Sequence, residues 1–319
     1  MLHSRSSESL VGLGLIGVTV FERGWLSSNN ILLQGEGGPT ALVDSGYAIH
    51  AEQTLDLVRS ALDGRSLDLL LNTHLHSDHC GGNALLQSSF PSLQTWIPPG
   101  LSSSVSDWDP VALTFEPTGQ VCSPFSFEGL LVPGSTVQLG ALHWEVHAAE
   151  GHDPHSVILY QPQSRVLISA DALWENGFGV VFPEIEGVDA FDEVANTLNI
   201  IQRLDPLTVI PGHGAVFGDV PAALSRARSR LSSFVQNPAK HRRHALKVLL
   251  KFKLLEWQKV PLSTMQRWCQ ATPYIVRLMS ENISSPLSAT QAFQFLEHLL
   301  MELERSGVLR LEGDMVVNC

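Results

Sequence analysis

A continuous apolar run, Leu67 to Leu71, passes through Asn72-Thr73 directly into His74-Leu75-His76-Ser77-Asp78-His79. A run this short and this apolar reads as a strand buried on both faces. Four of the six residues that follow are metal-ligand types. His74 and His76 are two apart, so on an extended backbone they point the same way. Asp78 and His79 follow as the chain turns toward a helix that opens near Gly81-Gly82-Asn83. Such a turn can aim one pair at one metal and the next pair at a second. The chain must therefore carry a polar, ligand-rich loop at the end of a buried strand.

Three more ligand candidates stand at the ends of predicted strands. They are His152 in Glu150-Gly151-His152-Asp153, Asp171 in Ser169-Ala170-Asp171-Ala172 and His213 in Pro211-Gly212-His213-Gly214. Imidazole nitrogen and carboxylate oxygen without thiolate suit Zn, with Mn or Fe as substitutes. The four cysteines, Cys80, Cys122, Cys269 and Cys319, form no C-x-x-C pair. Neither a disulfide framework nor a cysteine zinc ribbon is indicated, and a reducing, cytoplasmic home is the simpler expectation.

Taken in order, Thr73 to His79 (THLHSDH), GHD at 151–153, SAD at 169–171 and PGHG at 211–214 resemble the metallo-β-lactamase-fold hydrolase superfamily. Val43-Asp44-Ser45-Gly46 is similar to its early strand end. The resemblance covers roughly residues 15–218, and its motifs are specific in combination. It implies an α+β fold, the four-layer αβ/βα metallo-β-lactamase sandwich, with a cation pair at one edge. By the same resemblance His74, His76 and His152 hold the first metal, Asp78, His79 and His213 hold the second, and Asp171 bridges them. Asp44 becomes a partner for a ligand histidine.

The activity so implied is that of a binuclear metal-dependent hydrolase. Its bridging hydroxide, ionised near neutral pH, attacks a carbonyl ester, thioester or lactone, and Asp78 orients it. Thr73 to Asn83 looks most like the thioesterase and lactonase branches. A nuclease or phosphodiesterase of the same fold is the alternative, and a metal-containing, non-catalytic signalling module is a third reading. The loop GHDPHS at 151–156 departs from the relatives' GHTxGH, which leaves the role of His155 open. Cys80 reads as a small buried hydrophobe beside the site. His143 and His147 share a strand face, and packing or exposure is the expectation for both.

The charge is divided along the chain. Residues 1–221 carry 6 Lys+Arg against 25 Asp+Glu, whereas residues 222–319 carry 14 against 7. That shift places a boundary near Val220–Pro221, between a catalytic domain over 1–221 and a mostly helical domain over 222–319 whose terminal helix and hairpin resemble a winged helix. The acidic half repels polyanions and argues against a nucleic-acid partner. The expected partner is a small-molecule substrate, and a homodimer is compatible with the appended domain. No apolar run reaches the ~18 residues of a membrane helix, and Leu10 to Phe21, rich in β-branched residues, reads as a first strand rather than a leader.

Asn30 to Gln34 and Ala41 to Val43 read as a hairpin, 50–62 and 189–204 as amphipathic helices, and 136–148, 156–161, 165–169 and 208–210 as strands. Residues 98–135, rich in Ser, Pro and Gly, read as an irregular excursion that shapes a substrate mouth. Leu173 to Gly179 must border the ligands, so Trp174 and Phe178 are candidate pocket walls, with core packing as the other reading. Helices are expected at 222–235, 239–257, 262–280 and 288–306, before a hairpin at 308–317. The helix at 239–257 carries Lys240, Arg243, Lys247 and Lys251 as one stripe. A solvated or docking face is one reading, and a grip by Lys247 on an anionic substrate tail is the other.

Overall fold

The computed structural model describes residue 13, residues 16–280 and residues 288–319. In β2 (Asn30–Leu33), β3 (Ala41–Val43) and β4 (Leu69–Leu71) successive side chains alternate between two apolar environments. Ile31, Leu33, Ala41, Val43, Leu69 and Leu71 face one way and meet a second sheet. Leu32, Leu42 and Leu70 face the other way and meet Leu55, Val58 and Leu62 of the helix Ala51–Leu62. A strand with period-two geometry can be apolar throughout only when both of its faces are covered. Each such leucine contributes roughly 1.5–3 kcal/mol relative to an exposed one.

The first sheet is ordered β1 (Val18–Phe21), β2, β3, β4, β5 (Gln94–Ile97), β6 (Gly129–Leu130). Its first three strands pair antiparallel, and β3 to β6 run parallel. The second sheet is built from β7 (Thr136–Leu139), β8 (Leu142–Ala148), β9 (Val157–Gln161), β10 (Val166–Ala170) and β11 (Thr208–Pro211), in the order β11-β10-β9-β8-β7. It is antiparallel except for β10 with β11. Its outer face packs on the helices Phe191–Leu204 and Val220–Gln236. The layers run helix, sheet, sheet, helix, the αβ/βα sandwich that the motifs imply.

The helix Val220–Gln236 lies past the charge boundary, yet Val220, Ala223, Ala227 and Leu231 are buried on the second sheet's outer core. Packing partners change at the next helix, Pro238–Trp257. That helix joins Leu262–Ala271, Pro273–Met279 and Ala289–Arg305 in a separate core. A three-stranded sheet of β12 (Lys259–Pro261), β13 (Leu309–Glu312) and β14 (Met315–Asn318) closes it. The expected single helix over 262–280 is two helices, because Pro273 has no N–H for a ladder and begins a new turn instead. The excursion holds short helical turns, Ser102–Ser106 and Phe115–Thr118, over a buried cluster of Leu75, Cys80, Ile97, Val105 and Phe125. The first strand is shorter than expected, and residues 1–12, 14 and 15 lie outside the described residues. No helix among the described residues is long and apolar enough to cross a membrane.

Candidate metal centre

Parallel strands end side by side, so the loops that leave β3, β4, β10 and β11 meet at one edge of the sandwich. Asp44 leaves β3 in the left-handed region, at φ 59°. Its carboxylate accepts from Thr73 N at 2.9 Å and Thr73 Oγ1 at 2.8 Å, which ties the end of β3 to the end of β4. The turn at His79 is held from within by amide side chains. Asn72 Nδ2 donates to the His79 carbonyl at 3.1 Å, Asn83 Nδ2 donates to Asn72 Oδ1 at 2.7 Å, and Ser45 Oγ donates to Asn83 Oδ1 at 2.7 Å. A bulge between Ile168 and Ala170 ends β10 and re-aims the chain at Asp171. Asn29 Nδ2 donates to the carbonyls of Pro211 and Gly214, fixing the loop that carries His213.

These anchors bring the seven candidates together. His74 Nε2 and His76 Nδ1 are 3.1 Å apart, His76 Nδ1 and His152 Nε2 2.8 Å, and His152 Nε2 and His74 Nε2 3.3 Å. Asp78 Oδ2 lies 3.1 Å from His213 Nε2 and 3.9 Å from His79 Nε2. Asp171 stands between the two groups. Its Oδ2 is 3.4 Å from His152 Nε2, and its Oδ1 is 3.5 Å from His79 Nε2 and 3.8 Å from His213 Nε2.

The inner nitrogens face one another because the outer ones are engaged. His79 Nδ1 donates to Asp44 Oδ2 at 2.8 Å, and His152 Nδ1 donates to the Val180 carbonyl at 2.6 Å. His74 Nδ1 meets Thr73 Oγ1 at 3.1 Å. His76 turns the other way, with Nδ1 in the cluster and Nε2 3.8 Å from Asp153 Oδ2. Burial holds the His74 pKa well below the ordinary imidazole value, with the neighbouring histidines adding to it. Burial, with His152 beside it, takes His76 down to about 4. Burial also opposes a charged His79, but Asp44, Asp171 and Asp78 outweigh it and hold its pKa well above the ordinary value. Burial works against the Asp171 anion too, and there His213 and His79 prevail and hold it well below the carboxylate range.

The donor set fits a metal. Tetrahedral nitrogen ligands at the Zn–N distance of about 2.0–2.1 Å stand about 3.3–3.4 Å apart, close to the spacing of the His74, His76 and His152 nitrogens. His79 Nε2 is buried with no hydrogen-bond partner, although it points into a cluster of carboxylates. A cation would supply the partner that this orphaned nitrogen lacks. Three groups of ligand atoms, His74/His76/His152, His74/His79/Asp171 and Asp78/His79/His213, each lie within 4.8 Å of one another. Two glycines keep the space open. A Cβ on Gly212 would stand 2.2 Å from Asp171 Oδ1, and one on Gly179 2.3 Å from His152 Nδ1.

The cluster opens into a cleft lined by Trp25, Trp174, Phe182, Thr114, Thr118, Gln120 and, from the helix Pro238–Trp257, Val248, Leu249 and Phe252. Trp174 lines this cleft, and its Nε1 donates to Asp171 Oδ1 at 3.1 Å. Phe178 does not: it is 1% exposed and packs with Phe234 in the outer core of the second sheet. Lys247 is not at the cleft either. It pairs with Glu302, as Arg243 does, while Lys251 donates to Val308 O, Asn318 Oδ1 and Cys319 O. The basic stripe therefore docks the last helix and hairpin. His155 packs against Gly100 away from the cleft lining, and the buried Cys80 thiol lies 3.9 Å from Cys122 Sγ. Sequence reasoning missed Trp25 and Phe182, whose positions depend on contacts between segments distant in sequence.

Two packed sheets that gather seven histidine and aspartate side chains at their loop edge define the class of αβ/βα metal-site proteins. Within that class the chain belongs to the metallo-beta-lactamase superfamily, whose family description matches residues 23–213. A hydroxyacylglutathione hydrolase of Thermosynechococcus vestitus is 29% identical over 181 residues, 56% of this chain and 60% of that protein. An atrochrysone carboxyl ACP thioesterase of Aspergillus fumigatus is 28% identical over 202 residues, 62% of this chain and 40% of that protein. The chain thus spans about half the length of these relatives. A metallo-beta-lactamase family protein of Thermus thermophilus shares the fold, with a TM-score of 0.56 at 18% identity over 95% of this chain and 99% of that one.

Proposed function

We propose that this chain is a binuclear metal-dependent hydrolase of carbonyl esters, thioesters or lactones, with zinc as the expected metal. The observation that carries the reading is Asp171, whose two oxygens face the two ligand groups separately. The names of the hydroxyacylglutathione hydrolase and thioesterase relatives support a carbonyl bond. When bound, the metals supply ionisation of a water near neutral pH and polarisation of the carbonyl.

The chain's own residues direct that chemistry. Asp78 sits at the cleft side of the cluster, 3.1 Å from His213 Nε2, where its carboxylate would accept a hydrogen bond from the attacking water and fix its direction. Trp174 Nε1 holds Asp171 Oδ1 in place. Trp25, Trp174 and Phe182 give the cleft an aromatic lining beside the ligand cluster. The basic stripe of the helix Pro238–Trp257 is engaged internally, Arg243 and Lys247 with Glu302 and Lys251 with Cys319 O, which disfavours its use as a grip on a phosphodiester.

The test is a panel of ester, thioester, lactone and phosphodiester substrates on purified, metal-analysed protein. Turnover of one of the first three that is abolished by chelation supports the proposal. Turnover of phosphodiesters alone, or of nothing in the panel, contradicts it.

A further inference from the structure

Aromatic side chains flank both halves of the ligand cluster. Trp25 lies parallel to His213, with ring centroids 5.4 Å apart and planes 10° apart. Trp174 meets Trp25 edge-on at 5.3 Å. Across the cleft, Phe182 packs against His76 at 4.6 Å and His152 at 5.6 Å. Trp25 is nevertheless 58% exposed. Leaving so much indole in water beside a cleft forgoes the gain from burying it, which a cover of apolar chemistry would recover. No lysine or arginine stands among the described residues that line the cleft, whereas Asp78 and Asp171 do.

We propose that Trp25 and Trp174 form a stacking wall that selects substrates with an uncharged aromatic acyl group beside the scissile carbonyl. This rests on the hydrolase reading of the same cluster. Because Trp25 stacks on His213, a ring laid against the indole keeps its attached carbonyl next to the ligand groups. Aromatic pairs prefer offset or edge-on contact, and Trp25, already stacked on His213 and met edge-on by Trp174, is still 58% exposed for such a contact. A carboxylate or phosphate on the ring, on the side away from the scissile carbonyl and the ligand cluster, finds no lysine or arginine in the cleft lining, so it loses its hydration without a partner.

The test uses zinc-loaded full-length protein and ketones that have no leaving group, so binding is read apart from turnover. Calorimetry compares 2-acetonaphthone, its saturated analogue 2-acetyldecalin and the charged 6-acetyl-2-naphthoate. The expected result is that 2-acetonaphthone binds at least fivefold more tightly than the other two. Trp25→Ala weakens it by about three- to tenfold, and Trp25→Phe recovers most of the loss. Equal affinity for the saturated or charged analogue, or an unchanged affinity in Trp25→Ala, overturns the proposal. Trp25-dependent binding without turnover in the ester panel would leave the wall standing and remove the hydrolase.

Discussion

His79 Nδ1 donates to Asp44 Oδ2 at 2.8 Å, and both side chains are buried. Asp44 thus reaches from the end of β3 to set which nitrogen of His79 faces the cluster. The same carboxylate accepts two further hydrogen bonds from Thr73, so it couples sheet geometry to ligand geometry. Asp44→Ala is expected to weaken metal binding by about 10–100-fold, the usual effect of removing such a partner. Metal titration with a competing chelator measures it, and an affinity within twofold of the native value would contradict the role.

Acid should loosen the seam between the helix Pro238–Trp257 and the loop beside the cleft. His241 is 1% exposed, and its Nε2 accepts from Val181 N at 3.1 Å. Burial, reinforced by His244, lowers its pKa to about 4. The folded state therefore binds this proton more weakly than the unfolded chain, whose imidazole titrates near 6.5. The stabilisation is fully present above pH 6.5 and is lost as pH falls toward 4, amounting to about 3 kcal/mol for this one group. His76 and His244, also lowered to about 4 by burial, add to the slope that urea unfolding shows between pH 7 and 4, so His241→Gln should reduce that slope, and an unchanged slope would contradict the assignment.

Lys253 is expected to be among the costliest single positions outside the ligand cluster. Its ammonium, 8% exposed, is 2.8 Å from Glu256 Oε1 and donates to Gly119 O at 3.0 Å, and Tyr47 Oη donates to Glu256 Oε2 at 2.8 Å. Lys253→Met strands a nearly buried carboxylate and should cost about 3–5 kcal/mol, whereas pairing it with Glu256→Leu should restore much of the loss. Denaturant melts of the two variants measure the difference, and additive losses would contradict the pairing.

Lys247→Glu places like charges at Glu302 on a half-exposed surface. The expected cost is about 1 kcal/mol or less, since such pairs are screened by water. Selectivity between charged and neutral substrates should not move. A selective loss of substrates with an anionic tail, seen in kcat/KM ratios, would return Lys247 to the substrate path.

The seven ligand-type residues were legible because each stands at a strand end beside glycine or a turn, where local sequence decides backbone direction. Asp44 was legible for the same reason. The cleft walls were not. Trp174 and Phe178 share one short loop, yet one faces the cleft and the other the outer core, a choice made by Phe234 and His213 from other segments. Trp25 and Phe182 had no local pattern at all, because their partners lie on distant loops. The stripe on Pro238–Trp257 showed its spacing, but its counter-charge, Glu302, is set by tertiary packing. The strand Gln94–Ile97 was missed because four residues with partial alternation carry little periodic signal.

The central claim is that two cations share Asp171. Metal analysis of zinc-equilibrated protein and of its His76→Ala variant tests it most directly. The account predicts two equivalents per chain in the native protein and one in the variant, with the fold retained by circular dichroism. A native content below one equivalent, or the same content in both proteins, would contradict it.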